Sequence, residues 1–435
     1  MYWDKHTETI DRTELEALQL SQLREVVRRA GNSPHYGTIF SREGITADTI
    51  RSLDDLRRIP FMTKDLLRDN YPYGLLATPR DSIVRLHSSS GTTGRPTVIF
   101  HTINDIRQWA SLVARCMYMV GVRKQDVFQN MMGYGLFTGG IGFHYGAEEL
   151  GALVIPAGPG NTRRQIMLMQ EFETTVIHII PSYALHFIKS FAELNLDIKN
   201  DFKLRIAFLG AEPHSDATRR RIEEAFGVEA YNSYGLSEMN GPGVAFECPH
   251  KRGMHVWEDS YILEVIDPRT MEPVRDGEEG ELVFTALKRE GMPILRYRTK
   301  DLASVFTEPC PCGRTHRRIS RIKGRTDDML IVKGVNMYPV QIEKTLMSLP
   351  EVGSNFQIVL DRKEYNDHMV VKVEVVEDIF KGDMRGLQSL RKRIIEDLRS
   401  EILVTPEVEL VEPNTLPKSE GKAVRVVDNR HQWDD

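Results

Sequence analysis

Short apolar segments alternate with helical patterns through the middle of the chain, and this alternation restricts the fold more than any other feature. The apolar segments lie at residues 152–156, 175–180, 205–209 and 229–231. Strands separated by helices pair in parallel, because the connection must cross from one end of the sheet to the other. The sequence therefore predicts an α/β fold with a largely parallel sheet.

The chain has 435 residues, too many for one ordinary hydrophobic core, and its pattern changes after about Met254. Strands are predicted at 261–267 and 280–287, and a basic, hydrophilic linker at 319–328. A compact set of elements follows: a helix at 339–349, strands at 355–360 and 369–376, a helix at 384–402 and a strand at 407–411. We expect a large N-terminal α/β body of β-sheets and packed helices, residues 1–324, and a small α+β C-terminal domain, residues 329–435.

Charge and cysteine content exclude several classes of protein. The chain carries 57 basic and 62 acidic residues, a net charge of −5, and the two signs are interspersed, so no nucleic-acid partner is expected. A polar N-terminus and four cysteines predict the cytoplasm and no disulfide framework. Residues 127–147 carry no charge, but they contain six glycines and the polar residues Gln129, Asn130 and His144, so we expect no membrane span there.

Residues 86–97 read Leu-His-Ser-Ser-Ser-Gly-Thr-Thr-Gly-Arg-Pro-Thr, between two apolar stretches. This composition predicts a loop between two strands that offers hydroxyls and backbone N–H groups with little side-chain bulk. Such donors suit the oxygens of a polyphosphate, although a flexible linker has a similar composition. The candidate phosphate-binding residues are Ser90, Gly91, Thr92, Thr93 and Gly94.

Four further motifs follow the loop in order: Tyr231–Glu238, Tyr297–Asp301, residues 324–328 and residues 416–422. Each motif is weak alone, but together they resemble the acyl-adenylate-forming superfamily of acyl-CoA synthetases, luciferases and peptide-synthetase adenylation domains. The resemblance runs from about Ser88 to Lys422. Motifs that begin at Tyr134, Gly210, Tyr234 and Lys333 resemble those of the phenylacetate–CoA ligase family in particular. Thr97 stands where the wider superfamily usually has lysine, and the C-terminal lysine motif is one residue shorter.

The resemblance implies an AMP-forming aryl-acid–CoA ligase. The acid, phenylacetate or a close arylacetate, would react with ATP to give an acyl-adenylate and pyrophosphate, and CoA would then give acyl-CoA and AMP. The implied cofactors are ATP, Mg²⁺ and CoA. One alternative passes the adenylated acid to a carrier-protein thiol or an amine, and another is a catalytically silent binding protein. The combined presence of Glu238, Asp301 and Lys422 argues against the silent protein.

The same resemblance assigns roles to individual residues. Glu238 would hold Mg²⁺ on the phosphates, Asp301 would accept the ribose hydroxyls, and Lys422 would bridge the substrate carboxylate and the α-phosphate. Tyr234 would stack on adenine, with Ala211 and Glu212 along its edge. The remaining nucleotide-site candidates are Asn232, Gly235, Ser237 and Arg325.

A second group of residues is assigned to the acid and to CoA. Uncharged aromatic side chains on a glycine-rich backbone could wall a flat pocket. The pocket candidates are Tyr134, Phe137, Gly210, Tyr234 and Gly235, with Phe143 and His144 nearby. The resemblance places the CoA tunnel at Lys333, Gly334, Val335 and Tyr338. It also makes residues 325–328 a hinge, centred on Asp327, about which a mobile C-terminal domain rotates.

The cysteines suggest a separate metal centre. Cys248, His255, Cys310 and Cys312 would form a closed tetrahedral site for structural Zn²⁺. A reduced three-thiol cluster without metal is the alternative, and His250 competes with His255 as the nitrogen ligand. Cys116 stands alone and is expected in the core. The sequence leaves a monomer and a homodimer open.

Overall fold

The computed structural model describes residues 1–88, 96–136, 138–212, 214–363, 366–380, 384–417 and 424–430. The helices of these residues are α1 Lys5–Glu8, α2 Arg12–Ala30, α3 Pro34–Glu43, α4 Lys64–Asp69, α5 Ile103–Met119, α6 Thr138–Leu150, α7 Thr162–Glu171, α8 Pro181–Glu193, α9 Ile198–Asp201, α10 Asp216–Phe226, α11 Pro339–Met347, α12 Glu377–Phe380 and α13 Met384–Ile402. None of the described helices is long and apolar enough to cross a membrane.

The strands run from β1 to β20 in chain order. They are β1 Ile83–Ser88, β2 Val98–Thr102, β3 Val127–Asn130, β4 Leu153–Ile155, β5 Val176–Ile179, β6 Ile206–Leu209, β7 Glu229–Tyr234, β8 Ala245–Glu247, β9 Met254–Val256, β10 Tyr261–Ile266, β11 Glu279–Ala286, β12 Tyr297–Phe306, β13 Arg318–Ile319, β14 Gly324–Arg325, β15 Leu330–Val332, β16 Val335–Met337, β17 Val352–Lys363, β18 Asn366–Val375, β19 Glu407–Val411 and β20 Val426–Asp428.

The body is organised around one large mixed sheet. Its strand order in the described residues is β10-β11-β12-β13-β9-β8-β7-β6-β5-β3-β4, and β14 pairs with β12. The strands from β7 to β4 are parallel, which confirms the predicted α/β fold. The carboxyl ends of parallel strands share one edge, where ligands bind in open α/β sheets. The end of β7, at Tyr234, lies on that edge.

The segment predicted as a linker is part of this sheet. It contributes β13, which pairs with β9, and β14, which pairs with β12. The motif at residues 324–328 is therefore attached to the same strand that carries Asp301. The boundary of the two domains at residues 325–328 stays a prediction.

The C-terminal domain has its own four-stranded sheet in the order β19-β18-β17-β20, covered by α11 and α13. The bounds of α13 and β19 match the prediction. The buried face of α13 carries Leu390, Ile394, Leu398 and Ile402 at helical spacing, which explains why the periodicity identified it. One hydrophobic cluster continues from α8 and α10 of the body into this domain, so the two parts are packed together in this structure.

Candidate active site

Asp301 lies at the centre of a hydrogen-bonded group between the body and the hinge. The hydroxyl of Tyr234 donates to Asp301 Oδ2 at 2.7 Å, and Arg325 NH1 donates to Oδ1 at 2.9 Å. The β12–β14 register places Arg325 directly opposite Asp301. Burial raises the pKa of Asp301, and the Arg325 guanidinium opposes that shift. Each carboxylate oxygen has a second lone pair, so the pair of oxygens can still accept two ribose hydroxyls.

Tyr234, the predicted adenine-stacking residue, is 7% exposed. Burial, and then the Asp301 carboxylate, raise the pKa of its hydroxyl well above the ordinary value, so the hydroxyl stays a proton donor. The next residue, Gly235, allows the chain to fold back closely. A Cβ at Gly235 would lie 2.5 Å from Gly241 Cα, so no larger residue fits without moving the backbone.

Glu238 follows β7 in a short 3₁₀ turn and is 6% exposed. The buried Arg289 fixes this turn, because its NH1 donates to the Glu238 carbonyl at 2.9 Å and its NH2 donates to Asn240 Oδ1. Burial and the facing Glu238 carboxylate raise the pKa of Tyr297 well above its ordinary value. A carboxylate held this way is the hard oxygen donor that Mg²⁺ prefers. Arg289 lies between Lys288 and Glu290, so nothing in the sequence distinguishes it from a surface residue.

The residues predicted along the edge of adenine, Ala211 and Glu212, follow the end of β6, and Asn232 lies in the neighbouring strand β7. Ala211 has a φ of +69°, and Glu212 Oε1 accepts the backbone N–H of Ser182 at 2.6 Å, which ties this loop to the start of α8. The backbone N–H of Asn232 donates to Glu247 Oε2 at 2.8 Å. Ser237 Oγ lies 3.2 Å from Thr138 Oγ1.

A polar network surrounds Tyr134 on the predicted acid pocket. Asn130 Nδ2 donates to the Tyr134 hydroxyl at 2.9 Å, and this hydroxyl lies 3.2 Å from His144 Nδ1. Phe143 is fully buried in the core, with its ring centroid 5.0 Å from that of Phe208, so it does not wall the pocket. A Cβ at Gly210 would lie 2.8 Å from Ser233 Oγ, so a side chain there would displace that hydroxyl.

Several predicted site residues lie outside the described part of the chain. They are Ser90, Gly91, Thr92, Thr93 and Gly94 of the loop, Phe137 of the pocket, and Lys422. The flanks of the loop are described: β1 and β2 pair antiparallel, with Ser88 opposite Val98, which confirms that the loop joins two strands.

Three predicted CoA-tunnel residues, Lys333, Gly334 and Val335, lie in a hairpin of the C-terminal domain, and Tyr338 is the N-cap of α11. Strands β15 and β16 are joined by Lys333 and Gly334, whose φ angles of 51° and 79° fit a tight hairpin turn. Both turn residues are exposed. A cavity of about 830 Å³ lies between the two domains, but no residue of this hairpin lines it. The turn of the hairpin therefore faces solvent in this arrangement of the domains.

The predicted hinge segment is held by Arg325. Its Nε and NH2 donate to the two oxygens of Asp327 at 2.9 and 3.0 Å, while NH1 reaches Asp301. The ring of Tyr338 packs against Gly324, where a Cβ would lie 2.4 Å from Tyr338 Cδ1. The predicted hinge therefore contacts both Asp301 and Tyr338, the residue that follows β16.

Cys248, His255, Cys310 and Cys312 form one cluster in which the candidate ligand atoms lie within 4.8 Å of one another. Cys248 Sγ is 3.7 Å from Cys310 Sγ, and Cys312 Sγ is 3.3 Å from His255 Nε2. The hydrogen bond from Cys248 lowers the pKa of the Cys312 thiol, while the pKa of Cys248 is raised.

The imidazole orientation favours a metal. His255 Nδ1 lies 3.1 Å from the His316 carbonyl, to which it can only donate, so Nε2 is the nitrogen that faces the sulfurs and, in the neutral ring, could bind a metal. His250 is exposed and outside this cluster. The four groups have the number and kind of donors that a closed Zn²⁺ site requires.

Comparison with known proteins identifies the class and then the family. The family model "AMP-binding enzyme" matches residues 48–286, and "AMP-binding enzyme C-terminal domain" matches residues 334–430. These matches define an adenylate-forming enzyme with a separate C-terminal domain. A phenylacetate–coenzyme A ligase of Thermus thermophilus is 44% identical over 446 residues, which cover 99% of this chain and 100% of that protein. The chain belongs to the phenylacetate–coenzyme A ligase family, and it joins an acid to CoA through an acyl-adenylate with release of AMP.

Two solved structures of 2-hydroxyisobutyryl-CoA ligase inform on the arrangement of the domains. The postadenylation state superposes with a TM-score of 0.93 at 30% identity, over 100% of this chain and 93% of that chain. The thioesterification state superposes with a TM-score of 0.73 at 31% identity, over 99% of this chain and 92% of that chain. Both are states of one ligase, and this chain superposes better on the postadenylation state. The domains of this chain are therefore arranged much as in that state.

Proposed function

We propose that the acid is phenylacetate or a close arylacetate. The identity over nearly the whole chain to a ligase of that acid carries this proposal. The uncharged, glycine-rich residues 127–147 around Tyr134 support it, because glycine lets a flat ring approach the backbone closely.

The test is a panel of arylacetic, benzoic, indolic and fatty acids, each with ATP and with or without CoA. Pyrophosphate release and thioester formation are both measured. We expect kcat/KM to be highest for arylacetates, with thioester formed only when CoA is present. A higher kcat/KM for benzoic, indolic or fatty acids would refute the substrate, and adenylate formation without thioester would refute CoA as the acceptor.

The proposed roles in the first half-reaction follow from charge. A carboxylate and a polyphosphate repel each other, so the site has to place cations where charge develops. Glu238 would hold Mg²⁺, which would neutralise phosphate charge when bound, and Lys422 would bridge the acid and the α-phosphate. Asp301 would orient the ribose, with Tyr234 and Arg325 fixing its carboxylate as the structure shows.

The second half-reaction needs access for the CoA thiol. We infer that the C-terminal domain rotates about residues 325–328, which carries Lys422 away and brings Lys333–Tyr338 to the adenylate. The exposed position of the Lys333–Gly334 turn supports this proposal, because a tunnel residue that faces solvent has to move before it can act.

We propose that Cys248, His255, Cys310 and Cys312 hold structural Zn²⁺. Bound there, the ion would join the β8–β9 turn to the segment that precedes β13. The metal site, the reduced thiols and the use of ATP and CoA all suit a cytoplasmic enzyme.

Removing one ligand should remove the metal. Purified protein is expected to contain about one Zn per chain, and Cys312→Ser should lose it and unfold at a lower temperature. Cys116→Ala, which changes a cysteine outside the cluster, should keep the full zinc content. Metal-free wild-type protein of full stability would contradict the site. Zinc that survives His255→Ala but not His250→Ala would move the nitrogen ligand to His250.

A further inference from the structure

Glu343 connects the C-terminal domain to the body. It lies on α11, and its Oε2 accepts the backbone N–H of Ser215 at 2.9 Å, while its Oε1 accepts the hydroxyl of Thr218. Ser215 is the N-cap of α10, so the carboxylate lies at the positive end of that helix. Burial raises the pKa of Glu343, and the bonds from Thr218 and Ser215 oppose this shift.

Arg221 makes a matching contact further along the same two helices. It lies on α10, and its NH2 donates to the carbonyl of Val352 at 2.8 Å and lies 3.4 Å from that of Leu349, just beyond the end of α11. Thus an acid of α11 meets the start of α10, and a guanidinium of α10 meets the segment that follows α11. Ile222 and Leu346 belong to the apolar cluster that both helices share.

This contact holds one particular arrangement of the domains. Helix α11 begins 11 residues after Asp328, the last residue of the proposed hinge, so it moves with the C-terminal domain, whereas α10 stays with the body. Rotation about the hinge has to separate Glu343 from Ser215 and Thr218. Hydrogen bonds to an ionised carboxylate are among the stronger hydrogen bonds in proteins. To break those of Glu343, water has to replace Ser215 and Thr218 as the donors.

Building on the alternation proposed above, in which the arrangement seen here is the one that adenylates, we propose that Glu343, Ser215 and Thr218 form a latch that holds the C-terminal domain in this arrangement and sets how readily the enzyme passes to thioester formation. Glu343 contacts neither substrate in this role and acts as a positioning residue. The latch selects between two orientations, so its loss should change the two half-reactions in opposite directions.

Glu343→Gln and Thr218→Val test the latch with little change of volume. Adenylation is measured as a pyrophosphate burst without CoA, and thioester formation is measured from supplied acyl-adenylate and CoA. We expect the rate of adenylation to fall by about tenfold in each variant, because each variant weakens one hydrogen bond to a charged group. The rate of thioester formation should stay equal or increase. Glu401→Gln and Thr345→Val are the matched controls, because their hydrogen bonds remain within the C-terminal domain.

A readout that needs no substrate separates this latch from the catalytic proposals. Hydrogen exchange of the Ser215 amide should be slow in the wild type and faster in Glu343→Gln. In the double mutant Glu343→Gln/Thr218→Val, the free-energy change derived from this exchange should be smaller than the sum of the two single changes. An equal loss in both half-reactions, or unchanged Ser215 exchange, would overturn the latch. If Ser215 exchange becomes faster in Glu343→Gln but Lys422→Ala and Asp327→Pro each slow both half-reactions equally, the alternation is refuted instead of the latch.

Discussion

Replacing Glu238 by glutamine is expected to reduce adenylate formation by about two to three orders of magnitude while ATP still binds weakly. A neutral amide is a poorer ligand for Mg²⁺ than a carboxylate, so phosphate charge would remain unneutralised when pyrophosphate leaves. The fold should persist, because glutamine has the same size and Arg289 bonds to the backbone carbonyl of this residue rather than to its side chain. ATP–pyrophosphate exchange measures the effect.

Glu272→Gln is the control for this variant, since Glu272 is exposed in a turn of the body. It should exchange pyrophosphate at the wild-type rate. Exchange near the wild-type rate in Glu238→Gln would remove Glu238 from the metal site. A fall in its unfolding temperature together with the rate would instead indicate a structural defect.

The second large effect concerns Lys422. Lys422→Ala is expected to block adenylation, because no cation would then bridge the acid and the α-phosphate, yet the variant should still convert supplied acyl-adenylate to the thioester. Both rates are measured separately on the same preparation. Lys344→Ala, a change at an exposed lysine of α11, should leave both rates unchanged.

Asp327→Pro should have the opposite effect. Proline fixes φ, which would trap the adenylating arrangement of the hinge and slow thioester formation while adenylation continues. Asp327→Ala removes the same carboxylate from Arg325 but leaves the backbone free, so it separates the loss of that ion pair from the loss of rotation. Equal loss of both half-reactions in Lys422→Ala and in Asp327→Pro would refute the alternation.

Much of the fold could be read from local patterns. The α/β alternation, the bounds of α13 and the strands on either side of the glycine-rich loop follow from periodicity and turn residues, which act over a few positions. The family and its reaction could also be predicted, because the order of five short motifs is a property of the chain itself. These motifs predict Asp301 and Tyr234 as site residues, but they do not predict the direct hydrogen bond between the two side chains.

Other features depend on which strands become neighbours. The sequence offers His250 and His255 as candidate ligands, and the pairing of β9 with β13 decides which of them lies beside the cysteines. This pairing sets His255 opposite Arg318 and beside the segment that carries Cys310 and Cys312, whereas His250 stays in an exposed turn. The sequence predicts Phe143 in the wall of the pocket, but α6 packs against the sheet so that the Phe143 side chain lies in the hydrophobic core.

The sequence by itself determined the order of the strands and helices, the chemical groups available and the family to which they belong. The tertiary structure decided that Arg289 supports Glu238, that His255 faces three cysteines, and that Glu343 caps a helix 128 residues away. These contacts join residues distant in sequence, and their partners are fixed by strand register and by the docking of one domain on another. Local propensity acts over a few residues and carries no information on such pairs.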